Sequence, residues 1–79
     1  MPLYQASFPT GSHVRIADRE VLGEFRATWR YHNPLSPEQL EFAGQSAVVK
    51  KTGYYHGGDV LYELEGVPGL WHEQVLLQG

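Results

Sequence analysis

Apolar and polar side chains alternate in short runs along this chain, and glycine or proline interrupts almost every run. In residues 12–17, Val14 and Ile16 alternate with His13, Arg15 and Ala17, the period of two expected of a half-buried strand. Residues 45–55 resume the pattern, with Ala47 and Val49 against Ser46, Val48 and Lys50. The Lys50-Lys51 pair breaks the alternation before Gly53, which predicts a bulge or bend. Residues 60–65 set Val60, Tyr62 and Leu64 against Leu61, Glu63 and Glu65, so the first row is expected to face inward. The runs 70–73 and 75–77 complete the strands, with Glu73-Gln74 as a brief 3₁₀ turn between them.

The breakers have their own logic. His56-Gly57-Gly58-Asp59 is a tight hairpin turn, because two glycines supply positive φ without steric cost. Gly66-Val67-Pro68-Gly69 reads as a second turn. Between the first two strands, Leu22, Phe25 and Trp29 recur at spacings of three and four, which predicts about two turns of helix. Arg26 and Arg30 would share one side of it. Asn33-Pro34 stops that helix, since a residue before proline avoids helical backbone. Ser36-Pro37-Glu38-Gln39-Leu40 is a helix start, with Ser36 as N-cap, Pro37 in the first turn and Gln39 three residues after the cap. Gly44 ends this short turn, with Leu40 and Phe42 directed to the core. Residues 1–10 carry Leu3, Tyr4 and Phe8 between Pro2 and Pro9 and read as an extended arm packed on this chain or on a second copy.

The resulting order is strand, long loop, strand, turn, strand, turn, short strand, brief turn, strand. It predicts an all-β fold, a five-stranded Src-homology-3-like (SH3-like) barrel with short helical turns in its long first loop. Closing the sheet would protect its edges. The expected division is an arm at residues 1–10 and a single barrel domain at residues 11–79.

Short stretches carry a resemblance. Ser12-His-Val-Arg-Ile resembles the opening strand of several bacterial small barrels. Phe42-Ala-Gly-Gln-Ser-Ala-Val-Val is similar to the entry of the second strand in ribosome-associated KOW-type barrels and in the C-terminal barrel of the nitrile hydratase β subunit. Leu70-Trp71-His72-Glu73, with Val75-Leu76, resembles the last hairpin of that subunit. The resemblance implies the barrel fold and, by analogy, an accessory subunit of an enzyme. The chain lacks the Ala-Leu-Tyr-Asp-Tyr stretch of peptide-binding eukaryotic domains and the Val-Gln-Ile-Tyr stretch of type II dihydrofolate reductases.

Composition narrows the function classes. The chain has 79 residues and no cysteine, so it forms one domain with neither disulfides nor zinc-thiolate sites. A domain of this size is marginally stable on its own core. The formal net charge is −3. Arg15, Arg19, Arg26 and Arg30 balance the acids of the first half, so the acidic excess lies after residue 40. That counts against non-specific nucleic-acid binding, which depends on neutralising phosphates. No run approaches the roughly 20 apolar residues of a membrane span. Residues 1–10 lack the basic flank and apolar centre of a signal peptide, and a cytoplasmic location is expected.

The candidate chemistry gathers beside turns. Tyr31, His32, Tyr54, Tyr55, His56, Trp71 and His72 form a predicted aromatic and histidine face for a protein or peptide, because aromatic rings offer flat contact surfaces. The competing reading makes Trp29, Tyr62 and Trp71 core and the tyrosines rim. His32, His56 and His72 with Glu73 are chemically adequate for zinc. None of their spacings is a ligand motif, so no metal site and no cofactor are assigned. Ser36 is better explained as a cap than as a nucleophile, and Ser7, Ser12 and Ser46 lie in no nucleophile elbow. The expected function is a non-catalytic protein- or peptide-interaction module or small accessory subunit, with homodimerisation through the arm. The alternatives are a nucleic-acid-binding barrel using Arg15, Arg19, Arg26 and Arg30, and a subunit like nitrile hydratase β.

Overall fold

The computed structural model describes residues 7–30, 33–55 and 59–79. The strands are β1 (His13–Ile16), β2 (Ser46–Tyr55), β3 (Asp59–Leu64), β4 (Val67–His72) and β5 (Leu76–Gln78). They form one antiparallel sheet in the order β4-β3-β2-β1-β5, with β4 and β5 as its edges among the described residues.

The sheet bends within β2. Its first residues pair with β1 and its remainder with β3, and the register slips between Val49 and Lys51. The extra residue is Lys50, at the bulge expected from the Lys50-Lys51 pair. A bulge sharpens local twist, and here it lets one apolar cluster draw on every strand. Val14 and Ile16 of β1, Val49 of β2, Tyr62 and Leu64 of β3, Trp71 of β4 and Leu76 of β5 all belong to it. In β1, Val14 and Ile16 are buried while His13 and Arg15 are exposed.

Helix α1 (Arg19–Thr28) follows β1. It starts where Asp18 accepts a hydrogen bond from the Val21 N–H at 2.9 Å, capping an otherwise unpaired donor. Glu20 in the first turn and Arg26 in the last suit the helix dipole. Leu22 enters the core and Phe25 packs at its margin. The helix stops at Thr28, and Trp29 is already extended. Arg30 therefore lies beyond the helix and does not share a helical face with Arg26.

A six-residue 3₁₀ segment, Pro37–Phe42, follows the Ser36 cap. The Ser36 N–H donates to Gln39 Oε1 at 2.8 Å. Leu40 and Phe42 pack against the core as expected. Gln39 is itself buried, and its Nε2 donates to the Leu70 carbonyl at 2.8 Å. The side chain thus reaches the β4 edge strand and occupies one of its backbone acceptors.

Two further expectations change. Residues 66–69 are not a turn: the chain reverses at Glu65-Gly66, and Val67, Pro68 and Gly69 already belong to β4. Proline fits there because β4 is an edge and need not donate outward. Leu61, expected to face solvent, is fully buried although it lies outside the main cluster. It pairs with Gly53 on one side and His72 on the other, so the second face of this part of the sheet is also covered. The predicted His56-Gly57-Gly58 turn falls outside the described residues. Among the described residues, no helix is long and apolar enough to cross a membrane.

Candidate functional site

A short 3₁₀ segment, Glu73–Val75, joins β4 to β5. It brings Glu73 against Tyr62 of β3, whose Oη donates to Glu73 Oε1 at 2.6 Å. The same oxygen accepts the Ser7 N–H at 2.9 Å. The Phe8 N–H donates to Tyr62 Oη at 3.3 Å. Two consecutive main-chain donors of the N-terminal arm are therefore held by one tyrosine-carboxylate pair. The Phe8 ring meets Tyr62 edge-on, with centroids 5.6 Å apart, and is partly buried against the core.

The electrostatics follow from this geometry. Burial pushes the Tyr62 hydroxyl up to about 12, and its bond to Glu73 adds to the rise, because ionisation would set two negative charges side by side. Burial alone would raise Glu73. The hydrogen bonds from Tyr62 and Ser7 outweigh that effect and hold its carboxyl below its usual value. At neutral pH the pair is therefore a neutral phenol and a carboxylate, a strong acceptor for main-chain N–H groups.

The arm also borders a cleft of about 450 Å³, bounded by Ser7, Phe8 and Pro9 and by Ser12, His13, Gln78 and Gly79 at the β1–β5 edge. Its walls mix arm and sheet, so movement of the arm would reshape it.

A second cluster surrounds His72. The imidazole is almost wholly buried. Its Nε2 lies 2.7 Å from the Asn33 carbonyl. Phe25 and Trp29 stack on each other at 5.0 Å and meet the imidazole at 5.0 and 4.7 Å. Asn33 has a positive φ of 57°, a conformation that asparagine tolerates better than most residues.

The predicted aromatic and histidine face is distributed differently. Trp71 is fully buried, pairs with Tyr62 across the β3–β4 ladder and donates from Nε1 to the Pro68 carbonyl at 3.2 Å. His72, its neighbour, belongs to the opposite face with Leu61. Both side chains are interior, so neither presents a surface to a partner. Tyr54 is 46% exposed near the far end of β2. Tyr55 ends that strand, and its side chain, like Tyr31, His32 and His56, lies outside the described residues. Among the described residues, no group of three or more histidines and carboxylates is placed to hold a metal ion; two of the three imidazoles weighed for zinc are outside that set.

Arg15, Arg19, Arg26 and Arg30 are exposed. Arg19 pairs with Glu41 at 3.4 Å on the surface, a contact worth at most about 1 kcal/mol in solvent. Trp29, expected in the core, is half-buried against His72.

Sequence reasoning passed over Glu73, Tyr62 and Ser7 as a unit. Glu73 and Ser7 are 66 positions apart, and no local pattern announces such a contact. The available signal was an apolar arm whose phenylalanine needed a place to pack. Comparison with protein-family models, curated proteins and solved structures finds no match for the chain.

Proposed function

We propose that the chain is a non-catalytic protein- or peptide-interaction module built on an SH3-like five-stranded barrel. The strand order, the bend in β2 and the single 3₁₀ turn between β4 and β5 support that fold. The functional reading is carried by one observation. The Tyr62–Glu73 pair holds two consecutive main-chain N–H groups of the N-terminal arm while Tyr62 receives its aromatic ring. Capture of main-chain donors gives affinity and a side-chain slot gives selectivity, the usual division of labour in recognition of extended peptides. The contact groups on this reading are Tyr62 and Glu73, with Trp71 supporting Tyr62 as its cross-strand neighbour.

A displayed library of short peptides, panned on the immobilised full chain and followed by anisotropy with synthetic hits, tests it. Recovery of a consensus that saturates the folded chain supports the module. A library from which no peptide saturates the folded chain overturns it.

A further inference from the structure

Resting on the reading of the chain as a peptide-interaction module, we infer that the arm at residues 7–10 is a tethered occupant of its own site, displaced by a peptide that carries an aromatic residue followed by proline.

The argument starts from how the arm is attached. From Gly11 onward the chain is locked into the sheet: the Gly11 N–H donates to the Val49 carbonyl at 2.8 Å, and the Val49 N–H donates to the Ser12 carbonyl at 2.9 Å. Immediately before that point the chain turns. The Ser12 N–H closes on the Pro9 carbonyl at 2.9 Å, and Gly11 sits at a φ of 90°. This glycine conformation is needed at the third position of such a turn. The turn is therefore a joint between a fixed strand and the arm.

Beyond the joint, the site's demands on the arm are few and chemically plain. It takes the N–H of Ser7 on Glu73 and the N–H of Phe8 on Tyr62, and any non-proline residue supplies those donors. It takes an aromatic edge against the Tyr62 ring. Pro9 then directs the chain away into the turn closed by the Ser12 N–H on its carbonyl. Ser7 itself is exposed, so its side chain meets little restriction. A peptide from another molecule with the same three features satisfies every group that the arm satisfies.

Competition follows from the tether. A segment joined by so short a link has an effective local concentration in the millimolar range. An external peptide meets a site that is free only for the fraction of time the arm is out, and its apparent affinity falls by that fraction. Weakening the arm is thus expected to strengthen external binding.

The test uses the full chain and a fluorescein-labelled peptide, Gln-Ala-Ser-Phe-Pro-Thr, the sequence of residues 5–10. Phe8→Ala, with its fold checked by a thermal melt, is expected to bind the peptide about tenfold more tightly than the unaltered chain, the change expected when roughly 1.4 kcal/mol of arm binding is removed. Adding Glu73→Gln to Phe8→Ala is expected to reverse most of that gain. On the unaltered chain, millimolar peptide is expected to move the amide resonances of Ser7 and Phe8, a readout independent of how well the variant folds. Equal affinity for both chains, or binding that leaves the Ser7 and Phe8 resonances in place, overturns the inference while a library consensus leaves the module intact. Absence of binding to a folded Phe8→Ala chain also overturns it.

Discussion

The Asn33 carbonyl lies 2.7 Å from His72 Nε2, across 39 positions of sequence. This bond ties the connection after α1 to the end of β4, beneath the stacked rings of Phe25 and Trp29. The contact is part-buried, and the imidazole Nε2–H supplies the donor that the carbonyl needs. The geometry assigns His72 a structural task.

His72→Phe keeps the ring and removes the donor. It is expected to destabilise the fold by about 1 kcal/mol, the net worth of a hydrogen bond whose acceptor is part-buried. Urea unfolding measures it. A loss below about 0.5 kcal/mol, the ordinary scatter of neutral substitutions, would mean that the bond contributes little.

Tyr62→Phe removes the donor to Glu73 and the acceptor of the Phe8 N–H. Because the Glu73 acceptor is charged, a loss of about 1.5–3 kcal/mol is expected. Amide exchange at Ser7 and Phe8 should accelerate in parallel. If stability falls without faster exchange there, the pair holds the core but not the arm.

The same pair sets two limits on pH stability. The Tyr62 hydroxyl is raised from 10.0 to about 12 when folded. Below pH 10 its contribution is complete. Between about pH 10 and 12 the unfolded chain ionises first, and up to roughly 3 kcal/mol of stability is lost, because each tenfold difference in proton affinity between the two states is worth about 1.4 kcal/mol. Glu73 is lowered when folded, so its contribution is present above the unfolded value and is lost as pH falls through the folded one. Unfolding curves from about pH 3 to 12 on the unaltered chain and Tyr62→Phe test both limits. The alkaline slope should flatten in the variant, and an identical slope would remove Tyr62 as its source.

Gly69 and Gln39 form a further testable contact. Gly69 has a φ of 94°, and a methyl group there would stand 2.9 Å from Gln39 Nε2. Gly69→Ala is expected to cost about 1–3 kcal/mol through backbone strain, plus the collision. In a Gln39→Ala background the collision disappears and the strain remains. A double-mutant cycle should therefore show coupling of about 0.5–3 kcal/mol. Additive losses would place the whole cost in the backbone. Gln39→Ala alone also uncovers the Leu70 carbonyl, and greater self-association of that variant on gel filtration is the expected sign of an opened edge.

Much of the local structure was legible in the residues. Alternation located β1, β2 and β3, the Lys50-Lys51 break marked the bulge, and Ser36-Pro37 with Gln39 marked a capped turn. Each is a short-range matter of which backbone angles and side-chain directions neighbouring residues allow. The strand containing Val67, Pro68 and Gly69 was not legible, for the complementary reason: proline is excluded from a strand only when its neighbours need its N–H, and strand order decides that.

The site followed the same division. The residue pattern placed Trp71 and His72 together on one aromatic face, whereas the β3–β4 ladder sets them on opposite faces, with Tyr62 and Leu61 respectively; that Phe8 needs an apolar setting was legible. Which face is covered, and by what, depended on the bend of the sheet and the path of α1. Alternation distinguishes two sides but assigns water to neither, so Leu61 and His72 became interior only when other elements closed over them. The meeting of Ser7, Tyr62 and Glu73 joins the two ends of the chain. Only the tertiary structure decides such a contact, because its energy exists only after β3, the last 3₁₀ turn and the arm have been brought together.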